Sequence, residues 1–209
     1  MMIQESSVNV FKLNSKDSFI EFLFYFDLGF DHVLDIAGLD HFYFLVALSL
    51  PFTFRNWRKL LLWVSVFTLG HSFSLLVTHF DWIKIDATLV EFFIPLTICI
   101  TCLSILFQKQ HSHLQGSWIN IITLFFGLIH GFGFGRYFKM IATEGEVILG
   151  LLEFALGVEF AQILIVIFVL LINWLATGLL KIQNQKWQWV IAAMILSQAI
   201  LMTTRNWPF

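Results

Sequence analysis

Charge is scarce in this chain of 209 residues: Asp, Glu, Lys and Arg make up only 12% of it. A soluble domain carries roughly 25%. So few charges cannot cover a water-facing surface, which excludes a soluble globular fold. Proline appears 3 times, so helices are seldom interrupted. Cysteine appears twice, as Cys99 and Cys102 within one apolar run, which excludes a disulfide framework. The formal net charge is −2 and the basic residues are scattered, which excludes a nucleic-acid partner. High apolarity excludes intrinsic disorder. The start lacks a basic patch followed by an apolar stretch and a cleavage site, so a removable signal peptide is not expected. What is abundant is apolar: 58% hydrophobic residues, with 25 Phe and 8 Trp. The mean hydropathy is +0.82. In hydrocarbon every backbone polar group must be satisfied internally. The expected fold class is therefore all-α, a polytopic transmembrane helix bundle.

A helix needs about 20 apolar residues to cross ~30 Å of hydrocarbon. Six stretches qualify: Leu39 to Phe54, Leu60 to Phe80, Ala87 to Phe107, Trp118 to Phe138, Val147 to Trp174 and Trp187 to Arg205. Tryptophans 57, 82, 118, 174, 187 and 207 lie near span ends, as in interfacial belts. Arg55, Arg58, Lys59, Lys109, Lys181 and Lys186 share one side, which the positive-inside rule assigns to the cytoplasm. Residues 1–38 are expected to form an N-terminal tail and an outer-side interfacial or re-entrant segment, and 39–209 the bundle. Glu21, Asp27, Asp31 and Asp35 argue against a spanning helix there, since a centrally held carboxylate costs ~2.5–3.5 kcal/mol. A seventh span is the alternative.

Ionisable residues within apolar spans each require a reason. Asp40 and His41 open the first span, His71 lies in the second, Glu91 early in the third, His130 in the fourth, and Glu153, Glu159 and Gln162 in the fifth. His71 and His130 are each about twelve residues, or ~18 Å, from the inner end of their helix. Five helices thus level their polar groups between the outer third and the middle of the bilayer. Imidazole with carboxylate is a ligand set for nickel, cobalt, zinc or iron. The bland reading is interhelical hydrogen bonding. His32 and Asp35, one turn apart before the first span, add ligands if their segment folds over the outer mouth. Gly127, Gly131 and Gly135 recur every four residues around His130. That spacing fits a close-packing helix face, or a local unwinding helped by Gly133. Phe67-Thr68-Leu69-Gly70-His71 and Phe126-Gly127-Leu128-Ile129-His130 share Phe-x-Leu-x-His, an echo of a duplicated hairpin. Cys99 and Cys102 read as small apolar residues. His111 and His113 read as a solvated loop, and His79 as an interface residue.

The ordered motifs Gly29-x-x-His32, Gly38-Leu39-Asp40-His41-Phe42-Tyr43-Phe44-Leu45, Phe67 to Ser72, Val90-Glu91, Phe126 to Phe134, Gly157-Val158-Glu159 and Gln162 resemble the HupE/UreJ family of bacterial membrane proteins, over about residues 28–175. Leu69-Gly70-His71-Ser72 and Asp40-His41 are also similar to signatures of the broader nickel/cobalt transporter family. There, a histidine usually stands where this chain has Asp35. Ala155 stands where HupE/UreJ members often have asparagine. The resemblance implies a nickel or cobalt permease, multi-pass in a bacterial inner (cytoplasmic) membrane.

The leading expectation is then a divalent-metal permease whose site comprises Asp40, His41, His71, His130, Glu91 and Glu159, with His32, Asp35, Gln162 and Glu153 as further candidates. The alternative is an intramembrane zinc or iron enzyme acting on a lipid or membrane peptide, with Glu91 or Glu159 as base. A third reading is a structural subunit. The lipid bilayer and a metal ion are the expected partners, and a homo-oligomer is left open.

Overall fold

A computed structural model describes residues 2–36, 38–107, 118–142 and 145–208, with side chains outside the description at 2–17 and 118. His111 and His113 lie outside the described residues. All regular structure among those described is helical. In chain order the helices are α1 (Met2–Leu34), α2 (Asp40–Ser49), α3 (Trp57–His79), α4 (Ala87–Leu106), α5 (Trp118–Ile141), α6 (Val147–Trp174) and α7 (Asn184–Arg205). A short 3₁₀ turn, Phe54–Asn56, leads into α3, and a π turn, Leu175–Leu179, ends α6. Five segments are long and apolar enough to cross a bilayer: Phe54–His79, Ala87–Leu106, Ile119–Ile141, Val147–Leu179 and Asn184–Arg205. They coincide with the last five of the six stretches expected from sequence.

The difference lies at the N-terminal end. The expected first span contains a helix of only 10 residues, α2. Its length is ~15 Å, half the hydrocarbon thickness. The segment before it, expected to be interfacial or re-entrant, is part of the continuous 33-residue helix α1. Three of the carboxylates that argued against a spanning helix there fall on one side of the segment. Asp27, Asp31 and Asp35 recur every four residues and are exposed, whereas Tyr25 and Val33 are buried. Gly29, between those two, lies so close to α6 that an added Cβ would overlap the Phe154 carbonyl; Gly157 meets the Phe26 carbonyl in the same way.

Contacts fix the directions. Phe44 packs on Phe67 and Phe52 on Trp63, so α2 runs antiparallel to α3. Tyr25 meets Gly150 while Gly29 meets Phe154 and Val158, so α1 runs parallel to α6. α6 is also antiparallel to α3, with Phe154 level with His71 and Glu159 level with Ser65. α1 and α2 therefore descend the bundle one after the other, separated by a break at Asp35 to Leu39. There the Gly38 N–H donates to the Asp35 carbonyl at 3.1 Å.

α3 and α5 pack side by side and parallel. A Cβ on Gly70 would overlap the Leu124 carbonyl, and one on Gly127 the Phe67 carbonyl. Gly131 and Gly135 meet Ser74 and Thr78 in turn. The glycine series is thus a packing face. α5 stays helical through Gly133, so the unwinding considered from sequence is absent from it; the break falls between α1 and α2. The two Phe-x-Leu-x-His segments are neighbours on this parallel pair, which brings His71 and His130 to one level.

α4 carries Pro95, which has no N–H to give the carbonyl of Glu91 four residues earlier. Asn206, just past α7, donates its amide to that carbonyl at 2.9 Å and satisfies it. At the start of α4, Asp86 accepts the Thr88 N–H at 2.7 Å, an N-cap that holds the Asp86 carboxyl below its usual pKa.

Candidate metal centre

The break between α1 and α2 is where the histidines meet. His32 lies in the last turn of α1 and His41 in the first turn of α2, with ring centroids 4.7 Å apart. His71 of α3 is 5.4 Å from His32 and 5.5 Å from His41, and His130 of α5 is 5.3 Å from His41. His32, His41 and His71 can each present a nitrogen such that all three lie within 4.8 Å of one another. Metal–nitrogen bonds of ~2.1 Å place tetrahedral ligand atoms about 3.4 Å apart, so a small inward movement closes the set.

Burial and hydrogen bonding make the arrangement unusual. His41, His71 and His130 are at most 2% exposed. Phe44, Phe67, Phe134 and Phe154 wall the imidazoles, with Phe134 4.1 Å from the His32 ring and Phe67 5.0 Å from that of His130. Yet Nε2 of His32, His41 and His130, and both ring nitrogens of His71, are buried without a partner.

The other nitrogens explain which tautomers are held. His130 Nδ1 sits 2.8 Å from the Phe126 carbonyl, one turn back on α5. A carbonyl only accepts, so Nδ1 carries the proton and Nε2 is left with a free lone pair. His41 Nδ1 sits 3.2 Å from Asp40 Oδ1, which also accepts the His41 backbone N–H at 2.9 Å. The same logic frees His41 Nε2. Asp40 therefore orients His41 from behind, as a carboxylate does for a metal-ligating histidine. It also occupies the first turn of α2, where its charge offsets the positive helix end.

The remaining candidates fall elsewhere. Glu159 and Gln162 form a separate layer with Ser65 and Thr68. The Glu159 carboxylate accepts from Ser65 at 2.5 Å and Thr68 at 2.6 Å, and Gln162 Oε1 lies 2.8 Å from the Thr68 hydroxyl. Glu153 is buried on α6 with Oε2 unpartnered. Asp35 lies exposed in the turn after α1. Glu91 is exposed on α4, and only its backbone carbonyl is engaged, by Asn206. The structure thus gathers His32, His41, His71 and His130, with Asp40 behind. Sequence reasoning placed His32 outside the main set, because its segment was read as interfacial. It stands nearly one turn before Asp35. Ser65 and Thr68 were missed. Their signal was spacing: Thr68 lies on the His71 face, three residues before it, and Ser65 shares the Thr68 face, three residues further back.

A family model described as HupE / UreJ protein matches residues 8–207. The chain belongs to the HupE/UreJ family. The match covers nearly the whole chain, so the His-bearing break and the spans on both sides of it are all within the family region. No curated protein and no solved structure matches. Membership together with the five apolar helices makes this a multi-pass membrane protein, and the family implies metal handling related to nickel or cobalt transport.

Proposed function

We propose that this HupE/UreJ protein is a permease for a divalent transition-metal cation, nickel or cobalt, in a bacterial cytoplasmic membrane. The observation that carries it is the set of buried, unpartnered imidazole nitrogens at the break between two half-helices. Transporters place cation sites near mid-membrane at such discontinuities, where a half-helix C-terminus turns its negative end to the ion. Here that end belongs to α1. The passage has six crossings, the first divided into the second half of α1 and α2. The basic loop around Arg55, Arg58 and Lys59 faces the cytoplasm, as do Lys181 and Lys186.

The cation is the cargo. It enters from the α1 side past the exposed Asp27, Asp31 and Asp35 and sheds water as neutral imidazoles of His32, His41, His71 and His130 replace its shell. Asp40 supplies a compensating negative charge through His41. Glu159, with Gln162, Ser65 and Thr68, lies one turn deeper as the next polar stop. Because a protonated imidazole has no lone pair to give, binding strengthens as pH rises through the histidine range near 6.5.

Purified protein should bind nickel or cobalt in titration calorimetry, and proteoliposomes should take the ion up. His41→Ala should abolish both. A metal that binds tightly at the same histidines but never crosses would overturn transport and favour the intramembrane enzyme. Unchanged binding by His41→Ala would remove the site itself.

A further inference from the structure

A second feature lies on the opposite flank of α2. A half-open groove of about 500 Å³ runs between α2, α6 and α7, over Tyr43, Val46, Val169, Met194 and Ser197. Its walls are mostly apolar, with Asn173 and Gln198 among the few polar side chains that line it. One end is closed by Trp187 and Asn173, the other reaches Gln198. Trp187 and Gln198 are eleven residues apart on α7, or ~16 Å. That is the hydrocarbon thickness of one leaflet, half of ~30 Å.

At the Trp187 end the Trp187 ring N–H donates to Asn173 Oδ1 at 2.8 Å. The Asn173 Nδ2 group has no partner, although the residue is only 6% exposed and lines the groove. It is a donor awaiting an oxygen. Lys181, in the segment joining α6 to α7, and Lys186, in the first turn of α7, are exposed at that same end. The order along the groove is therefore cationic side chains, a tryptophan, a buried amide donor, and then an apolar slot one leaflet long.

We propose that this groove is a binding site for one anionic phospholipid of the leaflet on the Lys181 and Lys186 side. One acyl chain fills the slot, an ester or phosphate oxygen accepts the Asn173 N–H, and the charged head group lies against Lys181 and Lys186. A transmembrane helix satisfies its own backbone groups and brings no head group, so it would leave both the Asn173 donor and the two lysines unmet. On the order of sixteen methylenes fit, taking ~30 Å³ each, about the share of a water molecule. The occupant also has a mechanical role. α2 is a half-helix of 10 residues, and Phe42 and Tyr43, which line the groove, follow Asp40 and His41 directly. A seated chain braces the outer flank of the element that presents His41.

The test is lipid retention. The full chain is purified in mild detergent from nanodiscs containing phosphatidylglycerol and phosphatidylcholine, and the lipid remaining bound is measured by mass spectrometry. The expected result is one phosphatidylglycerol per chain, lost in Ser197→Trp and in Val46→Phe, which fill the slot. The Lys181→Ala/Lys186→Ala double variant, altered only at exposed positions, loses the preference for phosphatidylglycerol. No retained lipid in the parent, equal retention by the filling variants, or equal retention of phosphatidylcholine by the parent would each overturn the proposal. So would a disulfide-linked dimer through Ser197→Cys, since a second copy would then occupy the groove. Nickel binding is measured alongside, so failure of the metal site and failure of the lipid site are separate results.

Discussion

Two polar layers lie one turn apart on α3 and are finished to different degrees, the deeper one leaving a single atom, Gln162 Nε2, without a partner. The deeper layer satisfies its carboxylate: both Glu159 oxygens accept hydroxyl protons, from Ser65 and Thr68. The layer above, three residues along at His71, leaves five imidazole nitrogens without partners. An unsatisfied buried polar group costs about 1–3 kcal/mol, so five together are tolerable only where something from outside the chain completes them. The difference supports the proposal that the histidine layer is a ligand set and the deeper layer interhelical glue, two readings that residue types alone left side by side.

The sharpest way to break this contrast is His71→Ala. Neither His71 nitrogen has a partner, so the substitution strands no hydrogen-bonding group while removing a ligand. Nickel affinity in titration calorimetry should fall more than ~100-fold, beyond the 10–100-fold typical for groups that only support a ligand. Stability of the metal-free protein should not fall by a comparable amount. Parent-like binding would mean that the empty lone pairs have no ligand role.

Gly127→Val acts through the helix pair. Its Cβ would overlap the Phe67 carbonyl, so α3 and α5 must part, and His71 and His130 with them. Overpacking of this kind costs about 1–3 kcal/mol, visible as a lower unfolding temperature in detergent, and metal affinity should drop with it. Asp40→Asn should come next, with a 10–100-fold loss of affinity and an unchanged fold, because the amide still accepts from His41 without supplying charge. Glu159→Gln marks the other side of the comparison. Interhelical hydrogen bonds in membranes average roughly 0.6 kcal/mol, so nickel affinity should change by less than about threefold. A loss as large as that of Asp40→Asn would merge the two layers into one site.

Five spans were legible because an apolar run of about 20 residues has few alternatives in this composition. The levels of His71 and His130 followed from counting along two such runs. The glycine face was legible as a spacing, and its partner helix only as an echo. The break between α1 and α2 was not legible, because no run of residues around it is apolar enough to mark a helix boundary. Asp27, Asp31 and Asp35 read as a penalty when summed; with Asp27 and Asp31 on one face of α1 and Asp35 just past its end, Tyr25, Gly29 and Val33 are free to pack on α6. His32 went with its segment. Glu91 was the converse: its distance from the outer face matched the polar level, but depth says nothing of azimuth, and its side chain points out of the bundle.

The smallest effect is expected at Asp81→Asn, and it bounds the comparison from outside. Asp81 pairs with Lys139, tying the loop after α3 to the end of α5, the same two helices that carry His71 and His130. Hydrogen bonding to the Lys139 ammonium and its charge hold the Asp81 carboxyl below its usual pKa. A lowered carboxylate pKa stabilises at neutral pH, and the contribution fades as pH falls through the carboxylate range. Both groups are exposed, however, so water and salt screen the pair, and exposed ion pairs contribute little that can be measured. Asp81→Asn should leave the unfolding temperature at pH 7 and in 0.15 M salt unchanged within error, and nickel affinity with it. If affinity fell instead, the α3–α5 register at the histidines would depend on its solvent-exposed end as well as on the glycine face, and the buried packing of Gly70, Gly127 and Gly131 would not be sufficient to hold the site.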